Sequence, residues 1–141
     1  MLEGLACLAL AVYFEARGEP VAGQLAVAQV VINRARSTKF PDTLCEVVKQ
    51  GPIYEGAGHP VKHKCQFSFW CDGKPEIIHD YQAWQTAEEV AKAAMQTSLD
   101  ITEGSTFYHA TSVDPKWRYT KTFTIRLGQH VFYKESNNDQ R

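Results

Sequence analysis

From residue 2 to about residue 17, apolar side chains recur at helical spacing through Leu5, Leu8, Ala9, Val12 and Ala16, and most positions between them are apolar too. A helix without a polar face is buried on most sides. Glu3 suits its first turn, Gly18 a stop, and Pro20 cannot continue it. A second helix opens at Glu19-Pro20, with the proline at its first position, and runs to about residue 36. Ser37-Thr38-Lys39-Phe40-Pro41 ends it, and Asp42-Thr43 is suited to cap a short third helix over residues 44–49. From residue 51 to residue 81 the periodicity is lost among glycines, prolines and aromatics; a stretch this long is usually functional or holds order the pattern does not show. Residues 82–98 read as an amphipathic helix with Ala83, Ala87, Val90, Ala91, Ala94 and Met95 inward and Glu88, Glu89 and Lys92 outward. The remainder alternates as strands: 106–109, 120–126, a turn at Leu127-Gly128-Gln129, and 130–133, the last two forming a hairpin.

This pattern predicts an α+β fold, mainly helical, with a small antiparallel sheet at one end and a cleft between the two parts. At 141 residues the chain suits one core, so residues 1–135 are expected to form a single domain and 136–141 a polar tail. The formal net charge of -1 supplies no basic field for nucleic acid. The basic clusters Lys62-His63-Lys64 and Lys116-Trp117-Arg118 read as solvated faces. The run from Leu5 to Val12 lacks the basic flank of a signal peptide and is too short to span a bilayer, so it is expected to belong to the folded domain, with no cleaved leader visible and no membrane insertion. The four cysteines, Cys7, Cys45, Cys65 and Cys71, suit two disulfides with three possible connectivities. Cys7, in an apolar helix, also fits a buried thiol, and Cys65 and Cys71 could pair with each other or with Cys45.

Glu15 stands out for its setting. It lies one helical turn beyond Ala11 and Val12 and beside Tyr13 and Phe14. Desolvation raises a carboxyl pKa, and the negative end of the helix dipole acts in the same direction. A carboxyl that keeps its proton near neutral pH is what glycosidic cleavage requires, because the leaving oxygen must be protonated. Glu19 is expected in the opposite environment, at a helix start that favours an anion, as a cap or as a second carboxylate. Burial alone suits a structural ion pair of Glu15 with Arg17, Arg34 or Arg36 equally well.

The segment Tyr13-Phe14-Glu15-Ala16-Arg17-Gly18-Glu19-Pro20-Val21-Ala22-Gly23-Gln24 closely resembles the opening motif of the SleB-type cell-wall hydrolases. The likeness continues, in order, through Ala26 to Arg34, Phe40 to Val48, Cys65-Gln66-Phe67-Ser68-Phe69-Trp70, Phe107-Tyr108-His109-Ala110, Pro115 and Trp117, and His130-Val131-Phe132-Tyr133. Phe107 departs from the pattern, which often has a polar residue before the Tyr-His pair. The resemblance implies a lysozyme-like or lytic-transglycosylase-like catalytic domain that acts on peptidoglycan strands between N-acetylmuramic acid and N-acetylglucosamine, with Glu15 catalytic and no cofactor or metal. It implies a lytic transglycosylase forming 1,6-anhydro ends. The chain is expected to act on the cell wall as a monomer, either as a phage or prophage endolysin or as a domain of an exported protein.

Gln66, Ser68, Tyr108 and His109 are candidates for holding sugar N-acetyl and hydroxyl groups, and Phe67, Trp70 and Trp117 for stacking on sugar faces. Phe67 and Phe69 also suit a core, and Gln66 and Ser68 could instead satisfy loop backbone. Asn33 and Arg34 are expected to tie the second helix to loops. A hydrolytic muramidase would need a second carboxylate, for which Glu19 and Asp72 are the candidates. Two further readings use the central loop: a zinc amidase with ligands among His59, His63, Cys65 and Cys71, and a Cys–His peptidase using Cys65 or Cys71 with His109. A non-catalytic glycan-binding module is a third.

Overall fold

The structure is a computed structural model, and it describes residues 2–51 and 65–136. Among these residues the order is α1 (Leu2–Ala16), α2 (Val21–Arg36), α3 (Leu44–Val48), α4 (Tyr81–Gln96), β1 (Phe107–Ala110), β2 (Thr122–Leu127) and β3 (His130–Lys134). Two 3₁₀ turns, Ser68–Cys71 and Lys116–Thr120, were not apparent from the pattern. The turn at 116–120 occupies the beginning of the expected second strand, which therefore starts at Thr122. No helix among the described residues is long and apolar enough to cross a membrane.

α1 is the central element, packed against α2, α3 and α4. Leu8, Ala11, Val12 and Tyr13 are wholly inaccessible to solvent, as an all-round apolar helix requires. The Tyr13 hydroxyl, buried with its ring, accepts hydrogen bonds from the backbone N–H of His79 at 3.2 Å and of Asp80 at 3.1 Å. It thereby fixes the chain as it enters α4, whose first turn is capped by the Asp80 carboxylate accepting from the Ala83 N–H. α4 turns Ala87, Val90, Ala91 and Ala94 inward as expected. Met95, expected with them, lies in the last turn and is exposed. Thr43 caps α3 by accepting from the Glu46 N–H.

α2 carries the polar ties that hold the segment leading to the sheet. Gln29 bonds to both the Leu99 carbonyl and the Ile101 N–H. Asn33 donates to the Asp100 carboxylate at 2.8 Å and the Ser105 carbonyl at 3.0 Å, and the Arg34 Nε donates to the Thr106 carbonyl at 2.7 Å. The expected link from Asn33 and Arg34 to a loop is this one.

The sheet is antiparallel in the order β1-β3-β2, so β1 is an edge strand beside the helices. β2 and β3 form the expected hairpin, with Phe132 and His130 turned inward. The cysteines pair as Cys7–Cys45 and Cys65–Cys71. Cys7 is thus no free thiol: the capped α3 packs on α1 and brings Cys45 within 5.2 Å between Cα atoms. The second bridge closes the loop around the 68–71 turn.

Glu19 joins the helical part to the hairpin. Its Oε1 accepts from the Gln129 N–H at 2.7 Å. Gly128 has a φ of +57°, and a Cβ there would stand 2.6 Å from Glu19 Oε1 and 3.0 Å from Pro20 Cδ. Gly128→Ala would combine left-handed strain with displacement of the Glu19 carboxylate. It is expected to cost about 1–3 kcal/mol of stability in denaturant unfolding. An unchanged midpoint would show that this contact carries no load.

Candidate active site

The end of α1, the last turn of α2, the 65–71 loop, β1 and the 116–120 turn surround a cavity of about 580 Å³. It is lined by Glu15, Arg34, Gln66, Phe67, Phe107, Tyr108, His109, Ala110, Trp117 and His130. It lies where the pattern of helices followed by strands places a cleft.

Glu15 enters from the last turn of α1. The Tyr108 hydroxyl, carried on β1, donates to Glu15 Oε1 at 2.6 Å. Burial pushes the Glu15 carboxyl above the usual carboxylate range, while the Tyr108 hydrogen bond and the Arg34 charge pull it down; burial prevails. Burial and the neighbouring Glu15 charge both push the Tyr108 hydroxyl well above the ordinary tyrosine range, so it remains a donor. Arg34 is held by the Thr106 carbonyl, and its guanidinium lies 5.0 Å from the ring centre of Phe40, 5.5 Å from Phe67 and 5.9 Å from Phe107. Its charge is therefore fixed in an aromatic frame rather than spent in a direct bridge to the carboxylate. Of the three arginines considered as partners for Glu15, Arg34 is the one that lines the cavity. Arg17 instead donates to the Tyr13 hydroxyl.

Phe107, His109 and Trp117 form an aromatic wall, with Trp117 5.5 Å from Phe107 and 5.7 Å from His109 between ring centres. His109 Nδ1 lies 2.7 Å from the Ala110 carbonyl, which can only accept, so in a neutral ring Nδ1 carries the proton. Nε2 is then the acceptor for the Tyr133 hydroxyl at 3.0 Å. His130 lines the cavity from β3, its ring 5.1 Å from that of Tyr108. Its Nδ1 has no hydrogen-bond partner and lies 3.7 Å from Glu19 Oε1. Burial lowers its pKa, Glu19 opposes that, and His109 adds to it.

The cavity thus collects Glu15, Gln66, Phe67, Tyr108, His109 and Trp117 from the sequence-derived set. Ser68 and Trp70 do not line it: Ser68 is exposed at the start of its 3₁₀ turn, while Trp70 packs on the core with Lys49 above its ring. Glu19 serves the hairpin, and Asp72 accepts from the Lys74 N–H; neither lines the cavity. Arg34, His130, Ala110 and the aromatic Phe107 complete the lining without having been singled out as site residues. A charged residue within the apolar run of α2, and a histidine at an inward strand position, were the available signals.

The zinc and thiol readings lose their sulfur ligands, because Cys65 and Cys71 are bonded to each other. His59 and His63 lie outside the described residues.

The sequence matches the profile of the Cell Wall Hydrolase family over residues 18–133, beginning three residues after Glu15. The spore cortex-lytic enzyme of Bacillus cereus is 33% identical over 131 residues, covering 90% of this chain and 42% of that protein. That of Halalkalibacterium halodurans is 33% identical over 129 residues, covering 89% of this chain and 33% of that protein. Among solved structures, the catalytic domain of the germination-specific lytic transglycosylase SleB from Bacillus anthracis superposes with a TM-score of 0.71 at 29% identity, over 95% of this chain and 96% of that one. The Bacillus cereus SleB catalytic domain gives the same TM-score and identity, over 95% of this chain and 91% of that one. The fold is the lysozyme-like, mainly helical α+β fold of these catalytic domains. The chain belongs to the cell wall hydrolase family, and it spans less than half the length of the curated relatives it matches.

Tyr108→Phe removes a hydrogen bond that favours the Glu15 anion while leaving the ring. The Glu15 pKa should therefore rise further, as read by carbon-detected NMR titration of the carboxyl group. A fall in that pKa would contradict the assigned balance of burial against hydrogen bonding.

Proposed function

We propose that this chain cleaves peptidoglycan strands at the bond between N-acetylmuramic acid and N-acetylglucosamine, as a lytic transglycosylase with Glu15 as its acid and base. The observation that carries this reading is that Glu15 is the sole carboxylate among the described residues lining the cavity, and that burial raises its pKa. Hydrolytic cleavage with two carboxylates needs a partner across the bond. Glu19 and Asp72, the candidates for that partner, are both turned to other duties. The relative from Bacillus anthracis, described as a lytic transglycosylase, supports the same reading.

Because Tyr108 occupies Oε1, the proton of neutral Glu15 sits on Oε2, free to pass to the glycosidic oxygen. As that bond breaks, the N-acetylglucosamine hydroxyl leaves and positive charge develops at the muramic acid C1. The Glu15 carboxylate is now stabilised by the Tyr108 hydrogen bond and by the fixed Arg34 charge. It accepts the proton of the muramic acid C6 hydroxyl while the C6 oxygen bonds to C1. The ring closes as a 1,6-anhydro sugar, Glu15 regains its proton, and no water is consumed. Trp117 and Phe107 supply apolar faces for a sugar ring, and Gln66 and His109 supply polar contacts. Residues 1–135 act as one catalytic domain in this reading, with the cell wall as the site of action.

Glu15→Gln preserves shape and removes the proton. It should lower turnover on purified peptidoglycan by about 10²–10⁴-fold. In the unaltered protein, kcat/KM should fall as pH rises through a group titrating above the ordinary carboxylate range, since the acid must be protonated in the free enzyme. Folding stability has the same sign. A carboxyl whose pKa is raised on folding favours the folded state at low pH, and that contribution is lost as pH rises through its folded pKa. Glu15→Gln should therefore be at least as stable as the parent at neutral pH. Full activity in Glu15→Gln would refute the assignment.

A further inference from the structure

A second cavity, of about 390 Å³, lies on the outer face of the sheet and shares His109 with the first. The strand register explains the adjacency. Arg126 on β2 pairs with Val131 on β3, and Val131 pairs with His109 on β1, so the three stand in one row across the sheet. Cross-strand partners project from the same face. Tyr108, one residue along β1 from His109, projects to the opposite face and meets Glu15. The edge strand β1 therefore carries a continuous surface from the Glu15 cavity, around His109, to the outer cavity.

The outer cavity has the character of an anion site with an apolar floor. Arg126 and Arg118 line it together with Val113 and Val131. Arg118 is oriented by Asp114, by the Tyr119 hydroxyl at 2.7 Å and by the Tyr133 hydroxyl. The Tyr133 hydroxyl in turn donates to His109 Nε2, which links the two cavities by a string of hydrogen bonds. Arg126 is exposed, donates only a long 3.4 Å bond to the Gly128 carbonyl, and forms no ion pair with a carboxylate among the described residues. Two arginines face one acidic group, Asp114, so the cavity keeps a net positive charge.

Resting on the reading of the Glu15 cavity as a glycan site, we propose that this outer cavity is a subsite for the peptide stem borne by muramic acid, with Arg126 and Arg118 receiving a stem carboxylate. Peptidoglycan stems combine alanine methyls with free carboxylates, which match Val113 and Val131 on one side and the guanidinium groups on the other. A stem extends several residues from its sugar and can pass around β1. The lactyl group that carries the stem is joined directly to the sugar and is too short to leave the Glu15 side of the strand.

The experiment compares Arg126→Gln with the unaltered protein on two forms of purified, polymer-free peptidoglycan. One keeps its stems, and the other has been stripped of them by an amidase, which frees the lactyl carboxylate. Arg126 is exposed on a sheet surface, so the variant should fold normally; circular dichroism confirms it. On intact strands KM should rise about fivefold with kcat unchanged, the scale expected when an accessible charge pair is lost. On stripped strands the two proteins should agree. Equal behaviour on intact strands would overturn the subsite. A defect confined to stripped strands would assign the arginines to the lactyl carboxylate and overturn the stem proposal. Failure of the unaltered protein to cleave either form would instead refute the reading of the Glu15 cavity, and the subsite would fall with it.

Discussion

The hydrogen bond from the Tyr108 hydroxyl to Glu15 joins the largely buried helix α1 to an edge strand of the sheet. Its two ends are reached by different routes. Glu15 is fixed because α1 is apolar on every side and is enclosed by three other helices. Tyr108 is fixed because β1 is paired to β3, and because α2 holds the preceding segment through Gln29, Asn33 and Arg34. The tertiary fold thus supplies both the desolvation that raises the Glu15 pKa and the Tyr108 hydroxyl that favours its anion. Arg34 serves twice, as a tether for Thr106 and as a fixed charge near the carboxyl.

Glu15 and Glu19 are only four residues apart, yet the structure gives them unrelated work. The break between α1 and α2 turns Glu19 away from the cavity, toward the hairpin and His130. There its carboxylate accepts a backbone N–H, and Gly128 leaves the room for it. A second carboxylate close in sequence is therefore not a second carboxylate in the site. In the proposed reading, this separation favours intramolecular ring closure over activation of a water molecule.

Much of this was legible in the chain. The all-apolar first helix, the Thr43 cap, the hairpin at Gly128 and the buried setting that raises the Glu15 pKa follow from periodicity, turn chemistry and burial. The SleB-type resemblance pointed to the family that the full comparison shows. What escaped notice has physical causes. Cys7 reads as a core thiol because its local sequence is apolar, and only the packing of α3 on α1 reveals its partner. The segment Phe67-Ser68-Phe69-Trp70 is dominated by aromatics, so sequence cannot tell that Phe67 faces the cavity while Trp70 faces Lys49 and the core. The turn at 116–120 lacks a helical repeat, and yet it delivers Trp117 to one cavity and Arg118 to the next. His130 carries only a weak signal in sequence, because its place in the cavity depends on being turned inward beside Tyr108.

The central claim is that Glu15 alone drives cleavage without water. Digestion of purified peptidoglycan in ¹⁸O-labelled water, followed by mass spectrometry of the released muropeptides, tests it most directly. The account predicts muramic acid ends that contain no ¹⁸O and are lighter than hydrolytic ends by one water. Incorporation of one ¹⁸O at each new muramic acid end would show that water attacks C1, and would contradict a site built on a single carboxylate.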